Sequence, residues 1–96
     1  MKDDAYPIQV VTFSIKEVFK MKTVTVNLNS IEKVKSFVKD INKYENDFDL
    51  VSGRNLIDAK SIMGIFALDL SKPLQLNIHS RHHGDMIAAS LSDYIC

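Results

Sequence analysis

The side chains of this 96-residue chain whose type and spacing first suggest chemistry are those of His79, His82 and His83 and the hydroxyls of Ser30 and Ser61, which precede apolar runs. The spacing His-x-x-His-His gathers imidazole nitrogens only where the chain turns sharply after His79, and Asp85 is a weak fourth ligand. No metal or other cofactor is therefore expected. One cysteine has no partner for an internal disulfide. Ser30 and Ser61 each stand where a hydroxyl accepts a bond from a free amide of a helix's first turn, a structural role that requires no reaction.

Ser61 opens the most informative stretch. Ile62, Ile65 and Phe66 share one face of a short helix, and Met63 and Phe66 cannot both turn fully inward if Ile62 and Ile65 already do. Gly64 weakens helix propensity by roughly 1 kcal/mol relative to Ala, so something should pack or bind close to the backbone there. Two readings stand side by side. One is an ordinary core helix with scattered exposed side chains; the other is a partner-binding patch built from Lys60, Ile62, Met63, Gly64 and Phe66.

The whole chain narrows the choice of partner. Lys plus Arg and Asp plus Glu number 12 each, so no global field recruits nucleic acid or an anionic membrane. No apolar run approaches the roughly 20 residues of a membrane-spanning helix. The acidic start Met1, Lys2, Asp3, Asp4 is unlike a secretory leader, and a cytoplasmic location is expected. The length suits one domain with a modest core.

The elements that must position these groups follow from periodicity. Residues 23–28 read as a strand rich in β-branched residues. A helix capped by Asn29 or Ser30 follows, with Ile31, Val34, Val38 and Ile41 as its stripe, Phe37 and Tyr44 beside it, and Glu32 at its positive end. Residues 48–51 and 56–59 flank Ser52, Gly53, Arg54 and Asn55 as a hairpin, with the glycine supplying a positive φ. After the Ser61 helix and Pro73, Leu74, Leu76 and Ile78 point inward from a strand while Gln75, Asn77 and His79 point outward. From Gly84 or Asp85 onward, Met86, Ile87, Ala88, Leu91, Tyr94 and Ile95 make a final amphipathic helix. The order strand, helix, strand, strand, helix, strand, helix is too irregular for parallel winding and predicts an α+β fold, an antiparallel sheet with helices on one face.

Residues 1–20 stand apart as an N-terminal extension to the domain at 21–96. Residues 8–15 are apolar and β-prone, and three readings remain open for the extension: an extra edge strand, a loosely attached tail, or sequence upstream of a start at Met21. If it is translated it should pack somewhere, and residues 8–15 adding a strand to a neighbouring copy would make a structural homodimer.

Residues 60–70, KSIMGIFALDL, resemble the segment around the regulatory serine of HPr, the small phosphocarrier of the bacterial sugar phosphotransferase system. In low-GC Gram-positive members that stretch reads very nearly KSIMG followed by two apolar residues. The resemblance covers roughly residues 21–95 and implies an open-faced sandwich of four antiparallel strands covered on one face by three helices. It also implies a binding and carrier protein rather than an enzyme.

The family carries its phosphoryl group on a histidine at the start of the first helix, in a Gly-x-His-x-Arg-Pro-type motif. Counting back from Phe37, Val38 and Lys39, Ser30 and Glu32 stand at about the positions of that histidine and arginine. A serine phosphate is a stable ester that does not pass its group onward readily, and Glu32 brings negative charge where the family uses positive. Transfer from Ser30 is therefore not expected. Ser61, by contrast, matches the serine modified by HPr kinase, with Lys60, Ile62, Met63 and Gly64 in place. In the family that modification blocks the carrier role and creates a surface for a transcriptional regulator of carbon catabolite control. The resemblance thus implies a regulatory, protein-binding relative whose partner is a phosphotransferase-system component, HPr kinase or a transcriptional regulator. The alternatives are a divergent phosphocarrier using His82 or His83, and the strand-exchanging dimer.

Overall fold

The structure, a computed structural model, describes residues 21–96. The expectations placed on residues 1–20, including strand exchange through residues 8–15, lie outside the described residues. The chain runs β1 (Met21–Val26), α1 (Ile31–Ile41), β2 (Phe48–Ser52), β3 (Asn55–Asp58), α2 (Ile62–Phe66), β4 (Leu74–His79) and α3 (Gly84–Ser90). The strands form one sheet in the order β1-β4-β2-β3, and every pairing is antiparallel. The three helices lie over one face, so the architecture is the expected α+β open-faced sandwich.

β4 runs up the middle. Leu76 lies opposite Val24 of β1 and Leu50 of β2, and Ile78 lies opposite Lys22 and Phe48. These inward residues meet Val34, Phe37, Ile41, Ile65, Ile87 and Leu91 from the helices and loops, all essentially buried. Burying each such side chain contributes about 1.5–3 kcal/mol, so this layer supplies most of the driving force. The Tyr94 ring meets Phe37 edge to face at 5.3 Å.

The structure corrects several details of the sequence reading. Asn77, expected outward, is only 5% exposed: it lies on the open face of the central strand, between Thr23 of β1 and Asp49 of β2. Its carbonyl oxygen accepts from the Thr23 hydroxyl and from the Gln75 amide, each at 3.0 Å, so its burial is satisfied. In α1, Phe37 rather than Ile31 completes the buried face with Val34 and Ile41, and Ile31 in the first turn is exposed. The last helix stops at Ser90; Leu91 and Tyr94 are buried from the turns beyond it, Ile95 bridges Val26, and Met86 is exposed. The hairpin turn is also tighter than read, because Ser52 pairs with Asn55 and leaves Gly53 (φ 60°) and Arg54 as a two-residue loop.

Candidate functional site

The entry into α2 is built by Asp58. Its Oδ1 accepts from the Lys60 amide at 2.9 Å and its carbonyl oxygen from the Ser61 amide at 3.0 Å, which turns the chain out of β3. Ser61 then caps α2 from an extended conformation, its Oγ accepting from the Gly64 amide at 3.2 Å. A Cβ on residue 64 would sit 3.2 Å from that Oγ and 3.3 Å from Ile57 Cδ1, which accounts for the glycine: cap and strand both close on the helix backbone. Ile65 alone of the helix is fully buried, with Ile62 half-buried against the core. Met63 is left 77% exposed and Phe66 41%.

Leu56, on the neighbouring strand β3, is 62% exposed; it lies opposite Val51, and its side chain falls on the open face of the sheet, away from the helices. A groove of about 460 Å³ runs between strand and helix, lined by Arg54, Leu56, Ile57, Gly64, Ala67 and Leu68. The exposure of Met63 and Phe66 is legible in the sequence; that of Leu56 is not singled out there. The available signal was its place two residues after a tight turn, on a strand too short and polar to lie inside a sheet. Lys60 is directed elsewhere: its ammonium donates to the Tyr44 carbonyl at 2.6 Å and lies 5.6 Å from the centre of the Phe48 ring.

The opening of α1 is a plain cap. Ser30 is extended (φ −147°, ψ 156°), its Oγ accepts from the Lys33 amide at 3.1 Å, and Glu32 occupies the first turn. The chain's three histidines lie at the other end of the sheet. His79 pairs with Met21 at the start of β1, whereas α1 follows its end at Val26, a strand length of roughly 17 Å away. His82 and His83 follow on that same side, where the His82 ring meets the His83 ring edge to face at 6.4 Å. Beside them a polar cavity of about 180 Å³ is lined by Lys22, Arg81, His82 and Asp85, with Lys22 and Asp85 paired at 2.9 Å.

His79 itself faces Asp49 across β4 and β2, Nε2 to Oδ2 2.5 Å, a tie between the two central strands on the open face. Among the described residues no three His, Cys, Asp or Glu side chains gather to hold a metal ion. Among them, too, no helix is long and apolar enough to cross a membrane. The exposed loop after α2 is held by Asp69, which accepts from both the Ser71 hydroxyl (2.6 Å) and the Ser71 amide (3.1 Å); these bonds hold its carboxyl below the ordinary carboxylate range.

A four-stranded antiparallel sheet with three helices on one face, a capped first helix without an imidazole and an apolar second helix defines the class of small open-faced sandwich. No family model and no curated protein matches the sequence. Solved structures do match. HPr-C-His from Thermoanaerobacter tengcongensis superposes with a TM-score of 0.63 at 23% identity, over 75% of this chain and 88% of that one. The phosphocarrier protein HPr from Bacillus anthracis superposes with a TM-score of 0.60 at 22% identity, over 79% of this chain and 95% of that one. The chain therefore has the HPr-like fold.

Proposed function

We propose that this chain is an HPr-like protein related to the phosphoenolpyruvate-dependent sugar phosphotransferase system that acts as a regulatory, protein-binding module and transfers no phosphoryl group through histidine. One observation carries this reading. At the opening of α1 a serine caps the Lys33 amide and Glu32 stands in the first turn, while all three histidines follow from the opposite end of β1. A carrier needs an imidazole beside those amides, with a cation to hold the phosphate. The apolar surface of Ile62, Met63, Gly64 and Phe66 is what a protein partner would bury.

Control of that surface falls to Ser61. Phosphoryl transfer from ATP would join the γ-phosphorus to Ser61 Oγ, release ADP, and pass the hydroxyl proton to the kinase's base. The new phosphate oxygens would take over the Gly64 amide that Oγ now serves. Lys60 would reach them only by leaving the Tyr44 carbonyl. A phosphotransferase-system component, HPr kinase or a transcriptional regulator is the proposed partner, in the cytoplasm of a bacterium.

Incubation with HPr kinase and ATP should label the wild type and not Ser61→Ala, and absence of label on the wild type removes the regulatory half of the reading. Incubation with phosphoenolpyruvate and the general coupling enzyme should leave no acid-labile phosphohistidine. Such a label would favour the second reading, a carrier using His82 or His83, which has in its favour that both are exposed and that His82 lines a cavity with the cations Lys22 and Arg81.

A further inference from the structure

The sheet has two edges, and they are finished differently. On β1, the C-terminal residues close the outer side: Asn27 donates to the Tyr94 carbonyl at 2.7 Å, Cys96 donates to the Thr25 carbonyl at 3.0 Å, and Val26 bridges Ile95. On β3, among the described residues, no chain segment pairs with the outer side. The two-residue turn makes Ser52 and Asn55 a hydrogen-bonded pair, so alternation aims the backbone groups of Asn55 and Ile57 at β2 and those of Leu56 outward. Native edges are usually blunted with Lys, Pro or a bulge. This one centres on a leucine 62% exposed.

We propose that β3 pairs antiparallel with β3 of a second copy, about a two-fold axis through Leu56. In this register Leu56 lies opposite Leu56 of the second copy, and their outward N–H and C=O groups exchange two hydrogen bonds. Two residues to either side, Arg54 of each copy comes opposite Asp58 of the other, two ion pairs from one symmetric contact. The charges select the register. Centring the axis on Ile57 sets each Asp58 against Leu56, and centring it on Asp58 sets two carboxylates face to face, which is destabilising. Parity selects it as well: Ile57 lies opposite the buried Leu50, so Leu56 and Asp58 alternate onto the open face while Arg54 flanks them from the turn, and both open faces stay on one side with both helical layers on the other. The groove beside Gly64, Ala67 and Leu68 leaves space on the helical side for the incoming strand. The product is a continuous eight-stranded sheet. Because β3 has only four residues, the dimer is weak and dependent on concentration. This pairing requires neither a regulator docked at α2 nor a phosphate on Ser61.

Sedimentation of the full chain over a concentration series tests it. The wild type should rise from the 10.9 kDa single-chain mass toward twice that value. Arg54→Glu alone and Asp58→Arg alone should each remain at the single-chain mass, since each sets like charges across both pairs. Mixed in equal amounts, the two variants should regain the double mass, because every cross-copy pair is again of opposite sign. Leu56→Lys should also stay single, and circular dichroism of each variant checks that it is folded; if Asp58→Arg is not, Arg54→Glu and Leu56→Lys decide. A wild type of single-chain mass at every concentration overturns the proposal. So does a double mass that survives these substitutions, which would point to a contact elsewhere in the chain.

Discussion

Lys60 is bonded to Tyr44, not to its sequence neighbour Ser61: the ammonium lies 2.6 Å from the Tyr44 carbonyl oxygen and beside the Phe48 ring. The lysine thus fastens the loop after α1 to the turn before α2. Lys60→Met removes the donor but keeps the aliphatic length, and should lower stability by about 1 kcal/mol in urea unfolding. A variant of unchanged midpoint would show that water replaces the bond at no cost.

Ser30 and Ser61 cap their helices by the same bond but should respond differently to alanine. Each Ser→Ala change should cost about 1 kcal/mol, and restoring Asp at either site should recover most of it. Only Ser61→Ala should also abolish labelling by HPr kinase. Equal label on both variants would assign the modification to another hydroxyl.

Two glycines should resist substitution for different reasons. At Gly84 a Cβ would stand 2.7 Å from the Lys22 Cβ, an atom fixed by strand β1, and Gly84→Ala should cost about 1–3 kcal/mol by overpacking. At Gly53 nothing lies near the missing Cβ, so the cost of Gly53→Ala is the positive φ alone, about 1 kcal/mol. Thermal melts of the two variants should therefore rank Gly84→Ala as the less stable.

Tyr94 should make the fold sensitive to alkali. Burial raises the pKa of its phenol above 10.0, with the neighbouring Asp40 carboxylate adding to the rise and the Ser36 hydroxyl partly offsetting it. A phenol with a higher pKa folded than unfolded contributes its full stability below about pH 10 and loses it as pH climbs through the folded value. Near neutrality Tyr94→Phe should be about 1 kcal/mol less stable, having lost the 2.8 Å bond to Asp40. Above about pH 10 the gap should close. A gap constant with pH would mean that the tyrosinate is tolerated inside.

Much of this arrangement could be read from periodicity, because single-sided burial leaves a record in the chain. The alternation of Leu74, Leu76 and Ile78 identified β4, and Ser30 and Ser61 cap the helices they precede. What periodicity missed depends on neighbours distant in sequence. Asn77 reads as a surface residue until β1 and β2 are placed on both sides of it. Lys60 reads as a companion of Ser61 until the loop at Tyr44 folds back within reach. Ile31 keeps its helical period yet stands in the first turn, beyond the edge of what the sheet covers. Leu56 looks like half of a hydrophobic hairpin, and the strand order adds that among the described residues β3 has one neighbour.

The central place of β4 also governs how the molecule is made on the ribosome. β1 leaves the tunnel early but finds its partner only in residues 74–79, and β2 gains its second neighbour from the same segment. Until those six residues emerge, the described strands of the nascent chain can close the β2–β3 hairpin but not join β1 to it, so their apolar faces wait for β4 through most of translation. Slow codons or a stall just before residue 74 would thus expose the newborn protein to chaperones and to its neighbours on the same message.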